Sequence, residues 1–148
     1  GHVEPGSATN AMAMNLDFAQ TFLDIAGQQA PGDMQGMSLK PVLQGQLPAD
    51  WRKSVYYHYY EFPGAHSVRK HYGVRTERYK LIYFYEPEVD QWELFDLEED
   101  PHELNSVYDD REYREVVARM KLELALLRDK YQDDGSVVQF PQPKRKAR

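Results

Sequence analysis

Apolar positions along this chain change period twice, and each change marks an element. Phe18, Ala19, Phe22, Leu23 and Ala26 recur at helical spacing. Asn15 stands where a cap is needed and Gly27 where a left-handed stop belongs, so a helix is predicted over 15–26. The next stretch, Gln28 to Asp50, is broken by Pro31, Gly32, Gly36, Pro41, Gly45 and Pro48. It reads as a connecting loop with room for one helical turn around Ser38 to Leu43.

From Ser54 the pattern becomes β-branched and aromatic. Strands are predicted at Ser54 to Tyr60, Tyr72 to Thr76, Tyr79 to Tyr85 and Gln91 to Phe95, with a tight turn at Glu77 and Arg78. In the third strand Lys80, Ile82 and Phe84 point one way and Leu81, Tyr83 and Tyr85 the other, so it should be central and covered. Asp96 to Asn105 is acidic and turn-forming around Pro101. Asp109 with Glu112 then makes a capping box, and Tyr113, Val116, Val117, Met120, Leu124, Leu127 and Tyr131 repeat at three and four residues. The expected fold class is α+β: an antiparallel sheet of about four strands packed against a long C-terminal amphipathic helix.

Composition narrows the chemistry. With 148 residues, one modest domain is the working count. A net charge of -6 argues against a nucleic-acid surface, which needs clustered Lys and Arg. The basic run of Lys144, Arg145, Lys146 and Arg148 lies beside Pro141 and Pro143 and reads as a frayed end. The absence of cysteine excludes disulfides, thiolate metal sites and a cysteine nucleophile from these residues. No apolar run approaches membrane-spanning length.

Asn15 to Gly27, His71 to Ile82 and Glu93 to Asn105, in this order and ahead of a long helix, together resemble the C-terminal region of type I sulfatases of the glycan, N-acetylglucosamine-6-sulfatase kind. The resemblance implies that 1–50 is the tail end of an alkaline-phosphatase-like α/β catalytic domain, 51–131 the C-terminal subdomain and 132–148 an extended tail. It also implies a chain that begins in mid-fold. In that family a cysteine or serine within C/S-x-P-x-R becomes the formylglycine nucleophile beside a calcium ion. One hydroxyl of the hydrated aldehyde attacks sulfur, the sulfated diol eliminates sulfate, and calcium stabilises the charge. No such signature stands here, so neither catalytic residue nor cofactor is expected in this chain, and it should be inactive alone. Formylglycine and calcium are implied for the missing domain, which would be its partner. A periplasmic or extracellular location is implied by the resemblance alone.

The loop from His58 to His71 gathers titratable groups between two strands, and the resemblance implies that it reaches toward the substrate pocket. His66 and His71 are candidates for a hydrogen bond to a sugar hydroxyl or a sulfate oxygen, with Arg69 or Lys70 adding charge and Arg75 a further candidate. The plainer alternative makes His66 an exposed loop residue and has His71 satisfy a backbone carbonyl at a strand start. A metal at His58, His66 and His71 is disfavoured by irregular spacing, and Asp96 to Asp100 lacks a glycine-centred calcium loop. Arg78 is expected to pair with a carboxylate such as Glu77, and the aromatic set from Tyr56 to Tyr85 to be sheet packing with one exposed face. Three roles follow: part of a glycan sulfatase, a stand-alone sulfated-sugar-binding module, or a purely structural subdomain. The apolar face of the first helix, lacking its α/β partner, points to dimerisation or swapped packing.

Overall fold

A computed structural model of the chain describes residues 3–64 and 66–135. The elements run α1 (Asp17–Ile25), α2 (Lys40–Leu43), β1 (Ser54–Tyr59), β2 (His71–Thr76), β3 (Tyr79–Phe84), β4 (Gln91–Asp96), a 3-10 turn (Arg111–Tyr113) and α3 (Arg114–Lys130). The strands form an antiparallel meander in the order β1-β2-β3-β4, and the long helix lies across one face, as the α+β expectation requires. The basic run near the C-terminus lies outside the described residues.

Strand register sorts the side chains. Tyr56, Val74, Leu81 and Leu94 stand opposite one another across the sheet and meet Met120, Leu124 and Leu127 of α3. Tyr113, Val116, Val117 and Tyr131 pack around this core, so the whole predicted stripe faces the sheet. The opposite face carries Tyr57, Tyr59, His71, Gly73, Arg75, Lys80, Ile82, Phe84 and Phe95 by the alternation of side chains. Ile82 and Phe95 are buried there, and the loop after β4 returns over this face to pair Glu103 with Lys80. Gly73 is needed at its position, because a Cβ there would lie 2.5 Å from the Tyr57 hydroxyl and 2.4 Å from the Leu81 carbonyl oxygen.

Both expected caps shift. Asn15 does not cap α1: Leu16 precedes the helix without a side-chain bond, and Asp17, its first residue, accepts from Met14 N–H at 2.7 Å. Asp110, not Asp109, opens the last helical segment, its carboxylate accepting from Glu112 N–H at 3.0 Å. The adjacent 3-10 turn moves the start by one residue.

The first helix is inverted relative to the usual amphipathic rule. Its buried residues are polar, namely Asp17, Gln20 and Thr21, while Phe18 (53% exposed), Phe22 (68%) and Ile25 (59%) face outward. Hydrogen bonds explain the orientation. Thr21 Oγ1 accepts from Leu39 N–H at 2.8 Å, Gln20 donates to the Met34 carbonyl at 3.0 Å, and Asp24 receives Ser38 at 2.6 Å and Lys40 at 2.8 Å. The loop is therefore structured, with its own small core of Leu39, Val42 and Trp51. Asp17 completes the tie by accepting from Met37 N–H at 2.9 Å and from both terminal guanidinium nitrogens of Arg52.

Candidate functional site

The β1–β2 loop is anchored at its second end. His71, the first residue of β2, is stacked on Tyr59 at 5.6 Å between ring centroids, meets Tyr57 edge-on at 5.8 Å and tilts against Phe84 at 5.3 Å. Its Nδ1 lies 2.8 Å from the Arg69 carbonyl oxygen. That oxygen is an acceptor, so Nδ1 donates. This is the carbonyl contact of the plainer alternative, and it leaves Nε2 without a protein partner among the described residues.

Glu86, just past β3, holds the same end. Its carboxylate accepts from Lys70 N–H at 3.0 Å and lies 3.8 Å from the Arg69 guanidinium. Arg69 also lies over the Phe62 ring, 4.4 Å from its centroid, with 46% of its side chain exposed. Arg69 and His71 are thus joined through the Arg69 carbonyl, and His66 sits exposed on the same loop. Ala65 is outside the described residues. Arg75 is not gathered with them. It lies four positions along β2, roughly 13 Å away at strand rise, exposed and opposite Val55 and Lys80.

Arg78 pairs with Asp96, 2.8 Å away, and with Glu98 at 2.9 Å, where the sequence suggested Glu77. The hydrogen bond from Arg78 is the main reason the Asp96 carboxyl sits below the usual carboxylate value. Arg78 is consequently committed to the sheet rather than to a ligand.

Glu86 escaped the sequence reading, yet its position was accessible there. The hairpin at Glu77 and Arg78 sets a register pairing His71 with Phe84 and Arg75 with Lys80. Extending that ladder by two residues puts Arg69 opposite Glu86.

His58 has a different role from the loop histidines. It projects to the helix side, with Nδ1 2.8 Å from Asp133 and Nε2 3.0 Å from the Tyr85 hydroxyl. Asp133 also accepts from the Tyr56 hydroxyl and from Gly135 N–H at 2.9 Å. Burial pushes the Asp133 carboxyl up, but the hydrogen bonds from Tyr56, Gly135 and His58 together hold it below the ordinary value. Burial, with Asp133 beside it, pushes the Tyr56 hydroxyl well up. Nearby, Arg128 lies 4.3 Å from the Tyr72 ring centroid and donates to its hydroxyl at 3.1 Å. This cluster fastens the end of α3 to the sheet.

Among the described residues, no group of three or more His, Cys, Asp or Glu could hold a metal ion. The described side chains therefore offer no calcium site.

A model of the N-sulphoglucosamine sulphohydrolase C-terminal family matches residues 1–130. The chain belongs to this sulfatase family. The chain is 48% identical over 134 residues to an N-acetylglucosamine-6-O-sulfatase of Bacteroides thetaiotaomicron, an alignment covering 89% of this chain and 24% of that enzyme. The structure of BT4656 in complex with its substrate D-glucosamine-2-N,6-O-disulfate matches with a TM-score of 0.85 at 47% identity, over 89% of this chain and 27% of that one. A phosphonate monoester hydrolase from Silicibacter pomeroyi matches with a TM-score of 0.74 at 26% identity, over 89% of this chain and 28% of that one. The chain thus spans about a quarter of the length of these relatives.

Proposed function

We propose that this subdomain forms one wall of the substrate pocket of a sulfatase that removes sulfate from glycans, with a 6-sulfated amino sugar as its substrate class. The observation that carries the reading is the anchored loop, which ends in an exposed Arg69 and, two positions on, a His71 whose Nε2 has no partner among the described residues. The 48% identity to an N-acetylglucosamine-6-O-sulfatase supports the sugar, whereas the phosphonate monoester hydrolase shares the fold and speaks for no particular ester. In this reading His66, Arg69 and His71 contact the sugar, and Arg75 contributes where a glycan extends along the sheet. Nucleophile, formylglycine and calcium belong to a catalytic domain that packs against the outward stripe of Phe18, Phe22 and Ile25. The enzyme acts in the periplasm or outside the cell, and the chain alone releases no sulfate.

The test is His66→Ala and His71→Ala in the whole enzyme that contains this chain, assayed on 6-sulfated N-acetylglucosamine. A fall in kcat/KM of about tenfold or more for either variant is expected. Unchanged turnover in both would leave the subdomain a purely structural role. Sulfated-sugar binding by the isolated chain at the enzyme's own affinity would instead favour a stand-alone binding module.

A further inference from the structure

Two packed units meet at residues 51–54. In the first, α1 and α2 pack on each other, and Leu39, Val42 and Trp51 form the small core. The second is the sheet with α3. Trp51 is rooted in the first unit, whereas Ser54, which opens β1, is buried and bonded to Glu123 of α3. Lys53, between them, is exposed. A cleft of about 1380 Å³ opens between the units, with Asn10, Ala13 and Pro48 on one side and Thr76, Tyr79 and Arg119 on the other. Polar contacts at the joint converge on Arg52. Its terminal nitrogens engage both carboxylate oxygens of Asp17, one pair at 2.6 Å, and one nitrogen also reaches the Met12 carbonyl at 3.4 Å, where Trp51 Nε1 donates at 3.1 Å. Asp17 is itself held by the N–H groups of Met14 and Met37. The two side chains are buried, 7% exposed for Arg52 and 0% for Asp17. A planar guanidinium that grips a carboxylate at two points fixes direction as well as distance.

We propose that Arg52 is a positioning residue for the reaction: its two-point grip on Asp17 sets the angle at which β1 leaves the first unit, and so where the pocket wall stands. The inference rests on the pocket reading above, in which the first unit is part of the catalytic domain. Arg52 itself touches no substrate. The lever is long. β1 has six residues, so at strand rise its far end lies roughly 17 Å from the joint. A turn of about 5° at Arg52 would displace the β1–β2 loop by about 1.5 Å at that reach. A misplacement of about 1 Å can cost about 100-fold in rate.

Arg52→Lys in the whole enzyme keeps the positive charge beside Asp17 and loses the two-point grip. Its kcat/KM on 6-sulfated N-acetylglucosamine should fall about tenfold or more, while that on 4-nitrophenyl sulfate, which engages the catalytic domain without the wall, should stay within about twofold. An equal fall on both substrates would reduce Arg52 to a fold-stabilising residue and overturn the proposal. If His66→Ala or His71→Ala slows turnover and Arg52→Lys does not, positioning fails and the pocket reading stands. The angle can also be read without substrate. The chain has no cysteine, so dyes on Gln44→Cys in the first unit and Glu115→Cys in the second report their separation by single-molecule energy transfer. One narrow efficiency is expected with Arg52 in place, and a broadened or shifted one in Arg52→Lys. An unchanged distribution would overturn the proposal whatever the fate of the pocket reading.

Discussion

Asp17 occupies a first-turn position where a helix carboxylate ordinarily faces water, yet it is fully buried and bonded to Met14, Met37 and Arg52. Burial pushes its carboxyl up, but Arg52 and the two backbone N–H groups outweigh that and hold it below the ordinary value of 3.8. The stabilisation is therefore complete above that value and is lost as pH falls through the lower folded-state one. Arg52→Ala leaves the buried carboxylate without its counter-charge and should cost about 3–5 kcal/mol near neutrality. The deficit should shrink in strong acid, and urea unfolding of both proteins across pH checks it. Glu86 acts locally instead. Glu86→Ala should speed hydrogen exchange at the Lys70 amide by roughly tenfold, about 1.4 kcal/mol of local opening, whereas Glu86→Gln should retain most of the protection. Equal exchange in wild type and both variants would show that Glu86 does not anchor the loop.

Among the elements, α1 departs from the ordinary rule. Its apolar residues read as a core-facing stripe, but the polar side is buried because it bonds to the following loop, leaving Phe18, Phe22 and Ile25 outside. A short helix and a meandering loop can satisfy one another's backbone groups, whereas a wide apolar stripe needs a partner surface of its own size. The isolated chain should therefore self-associate. Sedimentation equilibrium should show a concentration-dependent dimer that Phe18→Ser with Phe22→Ser abolishes. The same pair should change the chain's intrinsic stability by no more than about 1 kcal/mol, since each site is exposed. A monomer at high concentration would remove the stripe from consideration as an interface.

For the whole molecule, closure depends on Asp133, where the end of α3 meets β1 and the segment after β3 through Tyr56, His58 and Tyr85. Asp133→Ala strands the Tyr56 hydroxyl and one nitrogen of His58 and should cost about 1–3 kcal/mol, read from the urea midpoint. An unchanged midpoint would show that the hydrophobic core alone fastens the helix. Asp133 lay in what the sequence marked as an extended tail. Its importance has no local signal, since the contact spans 75 positions in the chain.

Periodicity by itself determined the strands, the hairpin at Glu77 and Arg78, and the face of α3, because side-chain alternation and the 3.6-residue turn are set by neighbouring residues. The fixed hairpin register even contained the pairing of Arg69 with Glu86, two residues beyond the last paired positions of β2 and β3. Tertiary structure alone decided which side of α1 is buried, where Asp17 and Asp133 find their partners, and which nitrogen of His71 remains open. Each of those depends on groups far apart in the chain or on a carbonyl direction. Composition and spacing record neither.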